Sequence, residues 1–405
     1  GTGTENDPYL IENVEHLQRI RSLVEGGDAL AGAVFQLAND ITLPEDWEPI
    51  GVNNGGSGKN LLPFSGILDG GGHTMTIPDG GKPLLNYARD AVVRNLKIYG
   101  ANIDGSALLN NVCVDYGTDG IYQQMTDPDI ITVENVTLLS GSKTSASGLV
   151  KGGYSSGIND IIIRNCTIEA GVVIGCDKDE SNIGSFVGAF NGRIEDSVSY
   201  ATVYGVRDVG GLAGSKGQSM GDCIITNSAF LGTIEATGGH VGGILGAGYV
   251  DSTAPQVPPV SVQNCFVAAD ITANSIPYSI GGQEIGSGIG GIVGSEFGAT
   301  APMNSAYIRD NHFYGTITDT NTTNGYERVG GIIGELGRYD AEWMSYGNNY
   351  YLENSQYQGL GYLRIANAEW EPEAVFVPKS STEFADGTVL EVATTYGLQD
   401  AVILN

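Results

Sequence analysis

The sequence predicts an all-β chain wound as a right-handed parallel β-helix, a solenoid with an N-terminal helical cap. A glycine phrase recurs as Val-Gly-Gly-Leu-Ala-Gly at 209–214, Val-Gly-Gly-Ile-Leu-Gly at 241–246, Ile-Gly-Gly-Ile-Val-Gly at 289–294 and Val-Gly-Gly-Ile-Ile-Gly at 329–334. Looser copies lie at 183–188 and 148–153. A second phrase, led by Asn or Asp, recurs at Asn95, Asn135, Asn165, Asp196, Asn227, Asn264, Asn311 and Asn349, in steps of 40, 30, 31, 31, 37, 47 and 38 residues. Self-similarity at such a period marks a stacked-repeat architecture. The apolar runs between the phrases are short, β-branched and bounded by glycine, so they suit strands and are too short for helices. A propeller also repeats at about 40 residues. Uneven steps around a constant core phrase instead favour coils with loop insertions.

Taken in order, Asn13 is placed to cap a helix over about 14–25, with Val14, Leu17, Ile20 or Arg21, and Val24 along one side. That helix is expected to cover the first coil, whose open strand edge would otherwise invite aggregation. Strands follow at 33–38, 64–69 and 74–77, with a polar loop at 52–60. Segments 92–99 and 130–139 make the first ladder coils, around an irregular acidic stretch at 113–129. From 148 the coils become regular. Runs at 167–170, 201–204, 232–236, 269–273 and 315–318 alternate inward and outward, as half-buried strands do. The paired glycines suit either corners needing positive φ or a close approach between coils. A recurring corner Asn is expected to bond the local backbone and to stack on its counterpart in the next coil. The chain divides into a cap with first coils (1–90), the regular helix (91–352) and a C-terminal coil and cap (353–405).

Composition limits the function. Nineteen basic against 47 acidic residues give a net charge of −28. With no basic stripe to release counterions, nucleic acid is excluded as a partner, and anionic membranes are disfavoured on the same ground. The acidity reads first as solubility of an exposed surface. No run of 18 apolar residues offers a membrane span, and no leader pattern opens the chain. A start at Gly1 suggests a mature protein that is longer at both ends, with further domains on the same polypeptide. Five cysteines are too few for a stapled scaffold of this length. Cys166 and Cys265 follow the corner Asn, where Ser197, Ser228 and His312 stand in other coils, so they read as buried free thiols.

Loops on a rigid scaffold are where binding concentrates. Here they lengthen from about 250: 251–259, 274–288, 295–306, 319–328 and 335–347. Residues 339–370 hold eight aromatics in 32 positions, against 8% aromatics overall. The candidate binding residues are therefore Tyr278, Tyr326, Tyr339, Trp343 and Tyr346, a platform of rings for a ligand. The structural alternative is that the rings plug the last coil. For acid–base chemistry, Glu169, Glu235 and Asp270 are expected near one another in register, as an outward polar row without a deep cleft. Arg193, Arg207, Arg309, Arg328 and Arg338 have no spacing that singles one out for lyase chemistry. No His-Glu-x-x-His occurs, and the four histidines lie apart. No cofactor is expected. Asp177, Asp179 and Glu180 could bind Ca²⁺ only weakly, lacking the glycine and the spaced ligands of a calcium loop. Asn135 and Asn321 match a glycosylation pattern, Asn135 on the ladder itself.

The phrase Val-Gly-Gly-Leu/Ile-x-Gly, followed by Asn-x-aromatic and Gly-Thr-Ile, resembles the GLUG-motif repeat of bacterial surface proteins, found also beside IgA-specific metallopeptidase domains. Clean copies cover 209–334 and weaker ones about 148–351. The opening eleven residues and the stretch 64–77 resemble the leader that precedes such repeats. The resemblance implies a secreted or cell-surface location and supplies no catalytic residue. The expectation is an extracellular, non-catalytic module presenting loops to a glycan or host glycoprotein. A carbohydrate-cleaving β-helix enzyme and a structural spacer are the alternatives.

Overall fold

The computed structural model describes residues 1–53, 61–112, 129–152, 159–217, 221–248, 260–276, 278–280, 283–285, 287–296, 306–321, 327–337, 344–354, 356–363 and 375–385. Three parallel sheets of 20, 13 and 6 strands wall a single core. One coil shows the plan. The main sheet takes Cys223–Thr226 and, after a bend at Asn227, Ala229–Phe230. The six-stranded face takes Thr233–Ala236, and the glycine sheet takes Val241–Gly242 and Leu245–Gly248. Each strand pairs in parallel with its equivalents one coil before and one coil after, an arrangement consistent with a β-helix.

Register explains the core. Ile163, Ile194, Ile225, Val262 and Ile308 pair in file along the main sheet, each 0% exposed. Val203, Ile234, Ile271 and Ile317 do the same on the six-stranded face, and Val209, Val241, Ile289 and Val329 on the glycine sheet. Full burial of such side chains contributes about 1.5–3 kcal/mol each. The N-terminal cap is the helix Val14–Glu25. The Asn13 side chain accepts the His16 N–H at 3.2 Å, and Leu17, Ile20 and Val24 are buried.

The glycine phrases work by close approach. The glycines of the four clean copies are not among the positive-φ residues, whereas Gly152 in a looser copy has φ 70°. A Cβ on Gly210 would lie 1.8 Å from the Ala213 carbonyl oxygen, and one on Gly290 1.9 Å from that of Val293. One on the following glycine would meet a core ring, at 2.4 Å for Gly211 against Phe230 and 2.4 Å for Gly291 against Phe313. Bare backbone lets the strand fold against itself and against the core.

The left-handed conformation belongs to the Asn/Asp corner. Asn95, Asn135, Asn165, Asp196, Asn227, Asn264, Asp310 and Asn348 have φ between 50° and 57°. The last two correct the expected register, which ran through Asn311 and Asn349. At Asp310-Asn311 and Asn348-Asn349 either residue tolerates this conformation, and the chain bends at the first. Corner side chains stack outside: Asn135 Nδ2 donates to Asn95 Oδ1 (2.8 Å), Asn264 Nδ2 to Asn227 Oδ1 (2.6 Å) and Asn348 Nδ2 to Asp310 Oδ1 (2.8 Å). The next residue points inward, and that file contains Cys166, Ser197, Ser228, Cys265, Asn311 and Asn349. His312 is outside it, contrary to expectation.

The connections leave from two corners. Segments 249–259, 297–305 and 338–343 each join the glycine sheet to the main sheet. Their departing ends, Gly248, Glu296 and Leu336, stack, as do their arriving ends, Val260, Ala306 and Met344. Segments 274–288 and 320–328 join the six-stranded face to the glycine sheet instead, and the first carries the hairpin Tyr278–Ile280/Gln283–Ile285. After Phe376–Lys379, the last strand among the described residues, the helix Ser381–Ala385 turns back over the outside of the main sheet. Its Phe384 ring lies 5.2 Å from that of Tyr314. Tyr314 in turn packs on a small outer cluster around Ala229 and Phe266.

Candidate binding surface

Among the expected aromatic residues, Tyr346 is half-buried at the register of Ile308. Its ring lies 5.9 Å from that of Phe376 and packs against the core. Tyr278 opens the hairpin at the other corner, so these two candidates belong to different parts of the coil. Tyr326, Tyr339 and Trp343 lie outside the described residues. Elsewhere in the same aromatic stretch, Tyr351 and Tyr357 are core residues, 5% exposed each. Tyr362 stays exposed, with the Arg328 guanidinium 4.5 Å above its ring.

A different surface emerges from register. One outward file of the main sheet runs Asp69, Arg94, Glu134, Arg164, Glu195, Thr226, Gln263, Arg309, Gly347. Its first half alternates in charge, and directly opposed opposite charges support a sheet. Arg94 binds Asp69 at 2.8 Å and Glu5 at 2.6 Å, and Arg164 binds Glu134 at 3.0 Å. In the second half the alternation stops. Arg309 stands between neutral Gln263 and Gly347, half-buried, with a buried Nε that has no hydrogen-bond partner. Two residues back on the same face, Tyr307 is 38% exposed, flanked across the strands by Ser261 and Ser345.

The buried charges are committed to structure. The Nδ1 atom of His240 lies 2.7 Å from Asp208 Oδ1, both groups being within 1% of full burial, while Arg207 Nε reaches Oδ2 of the same carboxylate at 3.2 Å. Glu335, 0% exposed, binds Arg328 at 2.6 Å and accepts the Ser287 N–H at 3.0 Å. Asp319 accepts from Ser275 and from the Asn321 N–H. Asn321, a glycosylation match, is itself buried and donates to Ser275 Oγ at 3.2 Å. Lys216 donates to the Gly221 and Gly217 carbonyls at 3.0 and 3.3 Å. Burial lowers its pKa, nearby Cys223 and Asp222 opposing. The thiols of Cys166, Cys223 and Cys265 are free, and burial pushes each up to about 12.

The expected carboxylate row does not form. Thr202, Thr233, Asp270 and Thr316 share one register position, while Glu235 is paired with Tyr204 and Thr272, two residues along. Glu169 follows a main-sheet strand, on another wall, where it accepts the Ser140 N–H at 2.8 Å. Equal-looking phrases on strands of unequal spacing hid the offset. Among the described residues no three His, Cys, Asp or Glu side chains group to hold a metal ion.

No family model matches the chain. A segment of 200 residues, 47% of the chain, is 29% identical to halomucin of Haloquadratum walsbyi, of which it covers 2%. A segment of 76 residues is 37% identical to a protein of Evansella cellulosilytica described as a "Putative Gly-rich membrane protein", covering 19% of this chain and 8% of that one. The chain thus spans only a small part of the length of these relatives. Among solved structures, it is similar to a Bacteroides ovatus chain described as a putative immunoglobulin A1 protease, with a TM-score of 0.40 and 16% identity over 98% of this chain and 89% of that one. No helix among the described residues is long and apolar enough to cross a membrane.

Proposed function

We propose that this chain is a non-catalytic, right-handed β-helical module of a bacterial cell-surface protein, presenting connections at its coil corners to a glycan or a host glycoprotein. One observation carries the reading. The strand ends that launch and receive 249–259, 297–305 and 338–343 are stacked coil on coil, so a rigid scaffold holds successive variable segments along one edge. The partial matches to much longer proteins support a module within a larger polypeptide. The resemblance of the glycine and Asn phrases to the GLUG repeat points the same way. The near-universal right hand of parallel crossovers supports the right-handed choice.

The test is a glycan and host-glycoprotein binding screen of the intact chain beside a Tyr278→Ala/Trp343→Ala variant. Tyr346 is left in place because it packs on Phe376. Binding without product release, weakened in the variant, supports the module. Release of shortened saccharide identifies a carbohydrate-cleaving enzyme instead. No response from either protein leaves only a spacer and overturns the reading.

A further inference from the structure

We propose that Arg309 and Tyr307 form a subsite for a carboxylate-bearing sugar, a uronic or sialic acid residue of a glycan. The inference rests on the binding-module reading but uses the outer face of the main sheet rather than the coil corners. Its basis is the break in the alternating file. The other arginines on that face, Arg94, Arg164 and Arg193, each lie within 4 Å of a carboxylate of this chain. Arg309 has no ion-pair or hydrogen-bond partner among the described residues, and its file neighbours, Gln263 and Gly347, carry no charge. In a protein with 47 acidic residues against 19 basic, a half-buried cation left without a carboxylate is a site that an external one can complete.

Geometry narrows the ligand. Glycine at 347 leaves the strand beside Arg309 bare, and a Cβ there would lie 3.7 Å from Nη2 and 3.8 Å from Nε of Arg309, so the guanidinium lies next to bare backbone. A planar guanidinium held this way offers its outer N–H groups as a fork, which a carboxylate meets with two parallel hydrogen bonds. Tyr307 lies two residues away on the same face, roughly 6.6 Å along the strand, about the length of one acidic monosaccharide from its far edge to its carboxylate. Its exposed ring can take the apolar face of the sugar, and Ser345, in the adjoining strand, provides a hydroxyl beside it. Polyanions that bind by counterion release are disfavoured by the net charge of −28. One local carboxylate beside a stacking ring is not.

The test measures binding to the full chain of 3′-sialyllactose and methyl β-glucuronide, with lactose and methyl β-glucoside as uncharged controls, by saturation-transfer NMR and calorimetry. The parent is expected to bind one or both acidic sugars with Kd in the range of about 0.1–5 mM and to ignore the controls. Arg309→Gln weakens that binding at least ~10-fold, Arg309→Lys recovers only part because it cannot pair in two-pronged fashion, and Tyr307→Ala weakens it several-fold. Unchanged melting temperatures in all three variants separate lost recognition from lost structure. The inference is overturned if neither acidic sugar binds the parent, if the neutral controls bind equally, or if Arg309→Gln binds as the parent does. If Arg309→Gln retains binding that Tyr278→Ala/Trp343→Ala removes, the subsite fails while the module reading stands.

Discussion

The backbone N–H of Cys265 donates to Oδ1 of Asn311, 3.0 Å away and one coil further on. Asn311 also donates from Nδ2 to the Val262 carbonyl at 2.8 Å and to Asn349 Oδ1 at 3.0 Å. Ser197 and Ser228 perform the same service for coils nearer the N-terminus, accepting an N–H from the coil before and donating to a carbonyl of their own coil. Asn311→Ala leaves buried groups without partners, each costing about 1–3 kcal/mol. The expected loss is ~2–4 kcal/mol by urea unfolding, with faster hydrogen exchange at the Cys265 amide. Asn311→Ser, the residue used elsewhere in this file, is expected to lose less than half as much. Equal losses for the two variants would contradict the ladder.

The glycine phrases predict a contrast between two alanine substitutions. A Cβ at Gly242 would lie 2.1 Å from the Leu245 carbonyl oxygen and 2.6 Å from the Gly294 nitrogen, both backbone atoms that cannot swing away. Gly242→Ala is expected to cost more than ~4 kcal/mol or to prevent soluble expression, a loss of the size reserved for severe packing violations. Gly347→Ala meets only Arg309 at ordinary contact distance. It is expected to stay within about 1 kcal/mol of the parent. Thermal melting of the two proteins side by side checks both.

His312 gives the fold a pH dependence. Its ring is 6% exposed, stacks on Tyr350 with centroids 5.4 Å apart, and has a buried Nδ1 without a partner. Burial drives its pKa down to about 4, Asp310 opposing. The folded ring therefore stays neutral where an unfolded chain, titrating near 6.5, has taken up a proton. Its contribution is complete above pH 6.5 and is lost as pH falls towards 4, up to ~3 kcal/mol. His312→Phe, which copies the residue paired with it at Phe266, is expected to flatten that part of the curve. Urea midpoints measured from pH 7 to 4 decide it, and parallel curves for parent and variant would contradict the assignment.

Much of this architecture was legible because corner and core chemistry repeat in phase. The αL corner admits few residues, so Asn95 through Asn264 could be counted directly, and Asn13 announced its helix by the same capping logic. What failed, failed where local chemistry is degenerate. Asp310-Asn311 and Asn348-Asn349 each offer two residues able to bend the chain, and only the neighbouring coils choose between them. A glycine pair reads alike whether it supplies positive φ or bare backbone. Glu235 and Asp270 fell out of register because a two-residue offset between similar phrases is invisible without the strand pairing. Arg309 was visible as an arginine, but its isolation depends on Gln263 and Gly347, which lie 46 and 38 residues away in sequence. The outer cluster of Ala229, Phe266, Tyr314 and Phe384 joins strands to a helix across the surface, and no period encodes it.

The pair of Arg328 and Glu335 shows how one coil replaces the solution of another. In the preceding coil the same places hold Gly288 and Ser295, joined by an N–H to hydroxyl bond of 3.1 Å. In this coil a buried carboxylate and its arginine stand there, 2.6 Å apart. Removing one partner of a buried pair strands the other charge, which costs about 3–5 kcal/mol, while replacing both with a compatible neutral pair can be nearly neutral. Glu335→Ser is therefore expected to lose about 3 kcal/mol or more by urea unfolding. The double variant Arg328→Gly/Glu335→Ser, which copies the preceding coil, is expected to recover at least half of that loss. If the double variant is instead as unstable as the sum of its single changes, the two coils are not interchangeable solutions, and the arginine does something at this corner beyond neutralising Glu335.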